Sequence, residues 1–136
     1  MTSHLVLLLW IGFAILNGIY DADAFAYRDE RPNTHNPHIA FTVLRVLIAF
    51  ILLLLYQIEG GTLPDILSMT IIMMLVFPFF HDGFYYLPRG MLDTPHYTFF
   101  SQSQRTDAWF SVDFASRFVL LLVGVVAYII NLLTIF

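Results

Sequence analysis

Along this chain polar residues are sparse and grouped, and the apolar residues between them run in four long stretches. The first is His4 to Tyr20, the second His38 to Ile58, the third about Leu63 to Leu87, and the fourth Val112 to Phe136. A helix needs about 20 mainly apolar residues to cross the hydrocarbon of a bilayer. Each stretch meets or approaches that length, so the pattern predicts four transmembrane helices. Turn and cap residues mark their ends. Asn36 before Pro37 reads as an N-cap with proline in the first turn, where its missing N–H is harmless. Gly60 and Gly61 suit the end of helix two, and Thr62 with Asp65 has the spacing of a capping box opening helix three. Pro78 is expected to kink helix three and Pro88 to stop it. Helices two and three then form a tight hairpin. Residues 21–37 and 88–111 become longer polar loops at the opposite end.

Composition agrees with the pattern. The 136 residues are 59% hydrophobic and 12% charged, against roughly 45–50% apolar and about 25% charged in soluble domains. Half the usual charge cannot keep a globule in water, and a bilayer is the natural solvent. The predicted fold is all-α: one polytopic membrane domain over residues 1–136, with four transmembrane helices in an up-down bundle. Cysteine is absent, which excludes disulfides and thiolate chemistry. The net charge of −4 and the lack of a basic run argue against nucleic acid as a partner. A short apolar core followed by Ala22-Asp23-Ala24 has the outline of a signal peptide. No Lys or Arg precedes that core and the chain starts at Met1, so helix one is expected to be retained.

All six basic residues are arginines, and all lie in or next to the two long loops: Arg28, Arg31, Arg45, Arg89, Arg105 and Arg117. Positive charge stays on the cytoplasmic side. The arginines therefore predict cytoplasmic loops, with both termini on the non-cytoplasmic side of a cell inner membrane.

Intramembrane polar groups converge on the same end. Asn17 and Asp21 lie four apart on helix one. His38, Thr42 and Arg45 share a face of helix two, as do His81 and Tyr85 of helix three, with Asp82 and Tyr86 just around from it. Asp113 and Arg117 form an i,i+4 pair opening helix four. Arg45 sits about 10 Å into its helix at 1.5 Å per residue, too deep to face lipid without a partner. Ionisable residues inside membranes mostly face the bundle interior, pair with one another, and are functional candidates.

Three chemistries fit this cluster. One is a structural ion-pair network of Asp21, Arg45, Asp82, Asp113 and Arg117, flanked by a belt of Phe79, Phe80, Tyr85, Tyr86, Trp109 and Phe110. Another is a divalent metal such as zinc on His38, His81, Asp82 and Asp113, with Asp21, His35 or His96 nearby. His81, Asp82 and Asp113 would then be the catalytic candidates of a small hydrolase acting on a lipid-like or interfacial substrate through metal-bound water. Arg89, Arg105 or Arg117 would hold a phosphate head group. No H-E-x-x-H spacing supports that set, and "HNPH" (His35 to His38) is interrupted by the helix start. The third is axial ligation of a haem by His38 and His81. The first favours a non-enzymatic subunit or accessory protein, since four helices offer much lateral surface for self-association or for another membrane protein.

Smaller features add expectations. Ala14, Gly18, Ala22 and Ala26 form a small-residue stripe, expected to serve packing within the bundle more than a dimer seam. Asn131 is expected to hydrogen-bond between helices, and His4 to be solvated at the outer interface. The aromatic residues Phe99, Phe100, Trp109 and Phe110 are expected to dip into the head groups, from a loop that covers the polar cluster or docks a partner.

Overall fold

A computed structural model describes residues 2–30, 38–92, 96–101 and 112–134, with the backbone alone given for 28–30, 38 and 134. The described residues are all-helical: α1 (Ser3–Glu30), α2 (His38–Ile58), α3 (Leu63–Leu92) and α4 (Phe114–Thr134), arranged as an up-down bundle. All four are long and apolar enough to cross a membrane. Asn36, Pro37, His35, Arg31, Arg105, Trp109 and Phe110 lie outside the described residues, as do the side chains of Arg28 and His38.

The α2–α3 hairpin is written in local chemistry. Gly60 takes φ +102°, its N–H donates to the Gln57 carbonyl, and that of Gly61 donates to Tyr56. This is a Schellman end, which needs glycine because a Cβ is strained at positive φ. Two residues on, the Thr62 N–H and hydroxyl both donate to the Asp65 carboxylate, at 2.9 and 2.6 Å. The capping box satisfies an N–H that the first turn leaves orphaned.

Two helices outrun their sequence-based limits. α1 continues ten residues beyond Tyr20, through the stretch expected to begin a loop. Ala22 and Ala26 are buried there and Phe25 meets Tyr85 edge-on, so α3 keeps supplying a partner. α3 likewise runs through both Pro78 and Pro88. An internal proline costs about 3 kcal/mol in isolation. On either side of Pro88, packing holds the helix: Tyr86 and Arg89 are buried, and Gly90 lies against the Tyr97 carbonyl, where an added Cβ would stand only 2.1 Å away.

α3 is the hub, packed along α1 on one side and α4 on another, while α2 rests more lightly on α1 and α3. The small-residue stripe of α1 faces α3. At Gly18 an added Cβ would lie 2.3 Å from the His81 carbonyl oxygen, so the two backbones meet there. The half of the bundle nearer the hairpin is an apolar core of Val6, Trp10, Leu52, Tyr56, Met69, Ile72, Met73 and Val76. Its few polar groups are matched singly: the Trp10 indole donates to the Met73 carbonyl at 2.8 Å, and Asn131 of α4 to Ser68 of α3 at 3.0 Å. His4 is exposed as expected, but it also pairs with the Tyr128 hydroxyl.

Candidate functional site

In the other half, α1, α2 and α3 bring charged side chains together. Arg45 reaches from α2 and donates from Nε to the Asn17 amide oxygen at 2.6 Å and from Nη2 to the Asp21 carboxylate. The Asn17 amide in turn donates to Asp21 at 3.4 Å. His81 lies between two carboxylates, with Nε2 3.0 Å from Asp21 and Nδ1 2.8 Å from Asp82. Its ring stacks on Phe77 at 4.9 Å, and Phe77 also underlies the Arg45 guanidinium at 5.4 Å. Asp21 is almost wholly enclosed, its side chain 4% exposed. Arg45 and Asp82 keep 25% and 26% of theirs open.

The local sequence explains this geometry. Asn17 and Asp21 are one turn apart on α1, and Gly18 beside them lets α3 approach at His81 itself. Close approach draws the imidazole to Asp21, and Arg45 closes the third side. A buried carboxylate without a cation is strongly destabilising, and here the enclosed Asp21 meets Arg45. The cluster fits His81 in two protonation states. With Nε2 bare, the ring donates to Asp82 and accepts from Arg45 Nη2, 2.9 Å away. With both nitrogens protonated, it donates to both carboxylates, and two positive groups then balance two negative ones.

A second arrangement lies where α4 meets α3. Arg117, in the first turn of α4, is 0% exposed. Its Nη2 donates to the carbonyl of Ser101 at 2.8 Å and that of Phe99 at 3.5 Å, and its guanidinium stands over the rings of Tyr86 and Phe114 at 5.5 and 5.7 Å. Residues 96–101 are strapped to α3 here. The Phe99 ring fills the space left by Gly83 and touches Phe79 and Phe84, and Tyr97 meets Tyr86. Phe99 thus turns into the bundle, where the sequence placed it in the head groups, because Gly83 and the flanking phenylalanines offer a closer apolar site. Phe100 remains 64% exposed. Gly83 is two positions, about 200°, from His81 around the helix, so this strap lies over a different face from the Asp21–His81 contact.

The sequence-predicted residues therefore divide. Asp21, Arg45, His81 and Asp82 come together, joined by Asn17. Asp113 points to the surface, where its carboxylate accepts the Ser116 N–H at 2.7 Å and caps α4. Hydrogen bonds from the Ser116 hydroxyl and then its N–H hold the Asp113 carboxyl below its ordinary value. The Asp113–Arg117 ion pair expected from their spacing is replaced by this cap and by the Phe99 and Ser101 carbonyls. Among the described residues no three His, Asp or Glu side chains are placed to hold a metal ion. The site needs more than His81, Asp82 and Asp113, and the side chain of His38 lies outside the described set. His96 is exposed at the strap. For haem, both ring nitrogens of His81 already face carboxylates.

Sequence reasoning missed the role of Phe77 beneath Arg45 and the His81 ring, and the carbonyls of Phe99 and Ser101. The first had a signal, since Phe77 is one turn before His81 on the same face. The carbonyls had none, because a backbone acceptor leaves no mark in residue identity. No family model matches the chain, and no curated protein or solved structure is significantly similar to it.

Proposed function

We propose that this chain is a non-enzymatic subunit or accessory protein of a membrane assembly, with the Asn17–Asp21–Arg45–His81–Asp82 cluster fixing how α1, α2 and α3 register. The observation that carries this reading is mutual engagement: both nitrogens of His81, and the Nε and Nη2 of Arg45, already hold groups of the same chain. Catalysis needs a group turned toward a reacting atom, and these turn toward one another. The lateral surface supports association. α2 and α4 present mostly apolar side chains outward, such as Val43, Val46 and Phe50 on α2 and Val119, Val126 and Ile130 on α4. That surface faces bilayer lipid, a second copy, or another membrane protein. The arginine-bearing end faces the cytoplasm of an inner membrane, with both termini opposite, on the positive-inside rule.

Native mass spectrometry of the protein extracted with its surrounding lipid tests this, together with elemental analysis. The expected result is a mass above one chain and no stoichiometric metal. A single-chain mass under every extraction condition overturns the reading. Stoichiometric zinc that is lost in His81→Ala and Asp82→Ala while helicity persists puts a metal-dependent hydrolase in its place.

A further inference from the structure

We propose that Arg117 forms a binding site for a phosphate oxyanion, set beneath residues 96–101 at the arginine-bearing end of the bundle. A guanidinium has five N–H donors and no acceptor. In Arg117 only Nη2 finds acceptors, the two carbonyls, while Nε and Nη1 are buried with none. Buried donors left unmatched are costly, and more so when charged. Among the described residues, the carboxylates nearest Arg117 are committed elsewhere. Asp113 caps α4, and Asp82, within electrostatic reach of Arg117, is hydrogen-bonded to His81. The Tyr86 and Phe114 rings complete a wall that favours the cation without neutralising it.

What is missing is an acceptor with several oxygens and negative charge. Phosphate supplies both, and arginine's planar fork is suited to it. The position agrees with this chemistry. Arg117 is the fourth residue of α4, whose apolar span begins at Phe114, so the guanidinium lies near the depth of the head groups. Entry displaces the Phe99 and Ser101 carbonyls, and the anion then takes the donors they held as well as the orphaned ones. The same chemistry is offered by a lipid head group and by free phosphate.

The test uses the full chain in maltoside micelles, which contain no phosphate. Its thermal midpoint is measured alone, with added phosphatidylglycerol, and with inorganic phosphate against chloride at equal ionic strength. The wild type is expected to rise in at least one arm. A response to phosphatidylglycerol alone identifies a head group, and one to inorganic phosphate identifies the free anion. Arg117→Gln is expected to lose roughly ten- to a hundredfold in apparent affinity, as loss of a charged hydrogen-bonding group implies. In plain micelles Arg117→Gln is expected to match or exceed the wild-type midpoint, because it removes an uncompensated buried charge. Arg117→Lys, which keeps charge and loses the fork, is expected to fall between. No response in either arm overturns the site, as does an equal response of wild type and Arg117→Gln. So does an Arg117→Gln variant that is destabilised or unfolded in plain micelles, since the chain itself would then be pairing the guanidinium.

Discussion

Arg45 and Arg117 enter the same half of the bundle from helices that do not touch each other, and the fold treats them differently. Arg45 meets Asn17 and Asp21, with His81 and Asp82 continuing the network. Arg117 is more deeply buried, yet among the described residues it meets only carbonyls and ring faces. The first is a charge the chain has compensated, and the second a charge it has merely enclosed. Burial therefore does not identify which ionisable residue holds a structure together. Its partners do.

The largest test of that contrast is Arg45→Ala. Leaving the enclosed Asp21 to Asn17 and His81 alone is expected to cost about 3–5 kcal/mol, and replacing both partners together, Arg45→Met with Asp21→Leu, to recover most of it. Reversible denaturation in micelles measures both. A loss below about 1 kcal/mol for Arg45→Ala would remove the distinction between the two arginines. Next in size is Gly18→Ala, which drives a methyl into the His81 backbone and should cost about 1–3 kcal/mol. It acts on the Arg45 side alone, so amide exchange of residues 96–101 should not change.

Gly90→Ala is the converse. Its methyl meets the Tyr97 carbonyl and should lift the strap from α3, costing about 1 kcal/mol. Faster exchange of the Ser101 amide, whose N–H donates to the Thr98 carbonyl, is the expected readout, with the Asp21–His81 contact intact. The smallest effect concerns Asp113. Its carboxyl is held below the ordinary 3.8 by the Ser116 hydroxyl and N–H together, so the cap contributes fully above that value. The contribution is lost as pH falls through the lower folded value. Exchange of the Ser116 amide should rise on acidification, and in Asp113→Asn it should lose most of that pH response. An unchanged acid response in Asp113→Asn would mean that another group governs the first turn of α4.

The fold was largely legible in the chain. Span length and composition predict four helices, and Gly60-Gly61-Thr62 with Asp65 predicts the hairpin. These are local rules that depend on φ and on groups three to five residues apart. The ends of α1 and α3 were less legible. Asp21–Glu30 reads as polar loop until α3 is seen beside it, and Pro88 reads as a stop until Tyr97 and the buried Arg89 hold the turn beyond it. For the site, periodicity put Asn17 with Asp21 and His81 with Tyr85. The i,i+4 rule then misassigned Asp113, since an exposed aspartate just before a helix gains more from the free N–H of its first turn than from an arginine turned inward.

By itself the sequence determined the solvent, the number of spans, the hairpin, and the end of the bundle that gathers hydrophilic groups. Hydrophobicity, run length and capping act over a few neighbouring residues and are written in residue identity. Only the tertiary structure decided which anion each arginine meets, because that depends on how closely two helices approach. Gly18 permits backbone contact at His81 and so brings the imidazole to the carboxylate that Arg45 also meets, while the carbonyls facing Arg117 belong to a segment whose path no local pattern specifies.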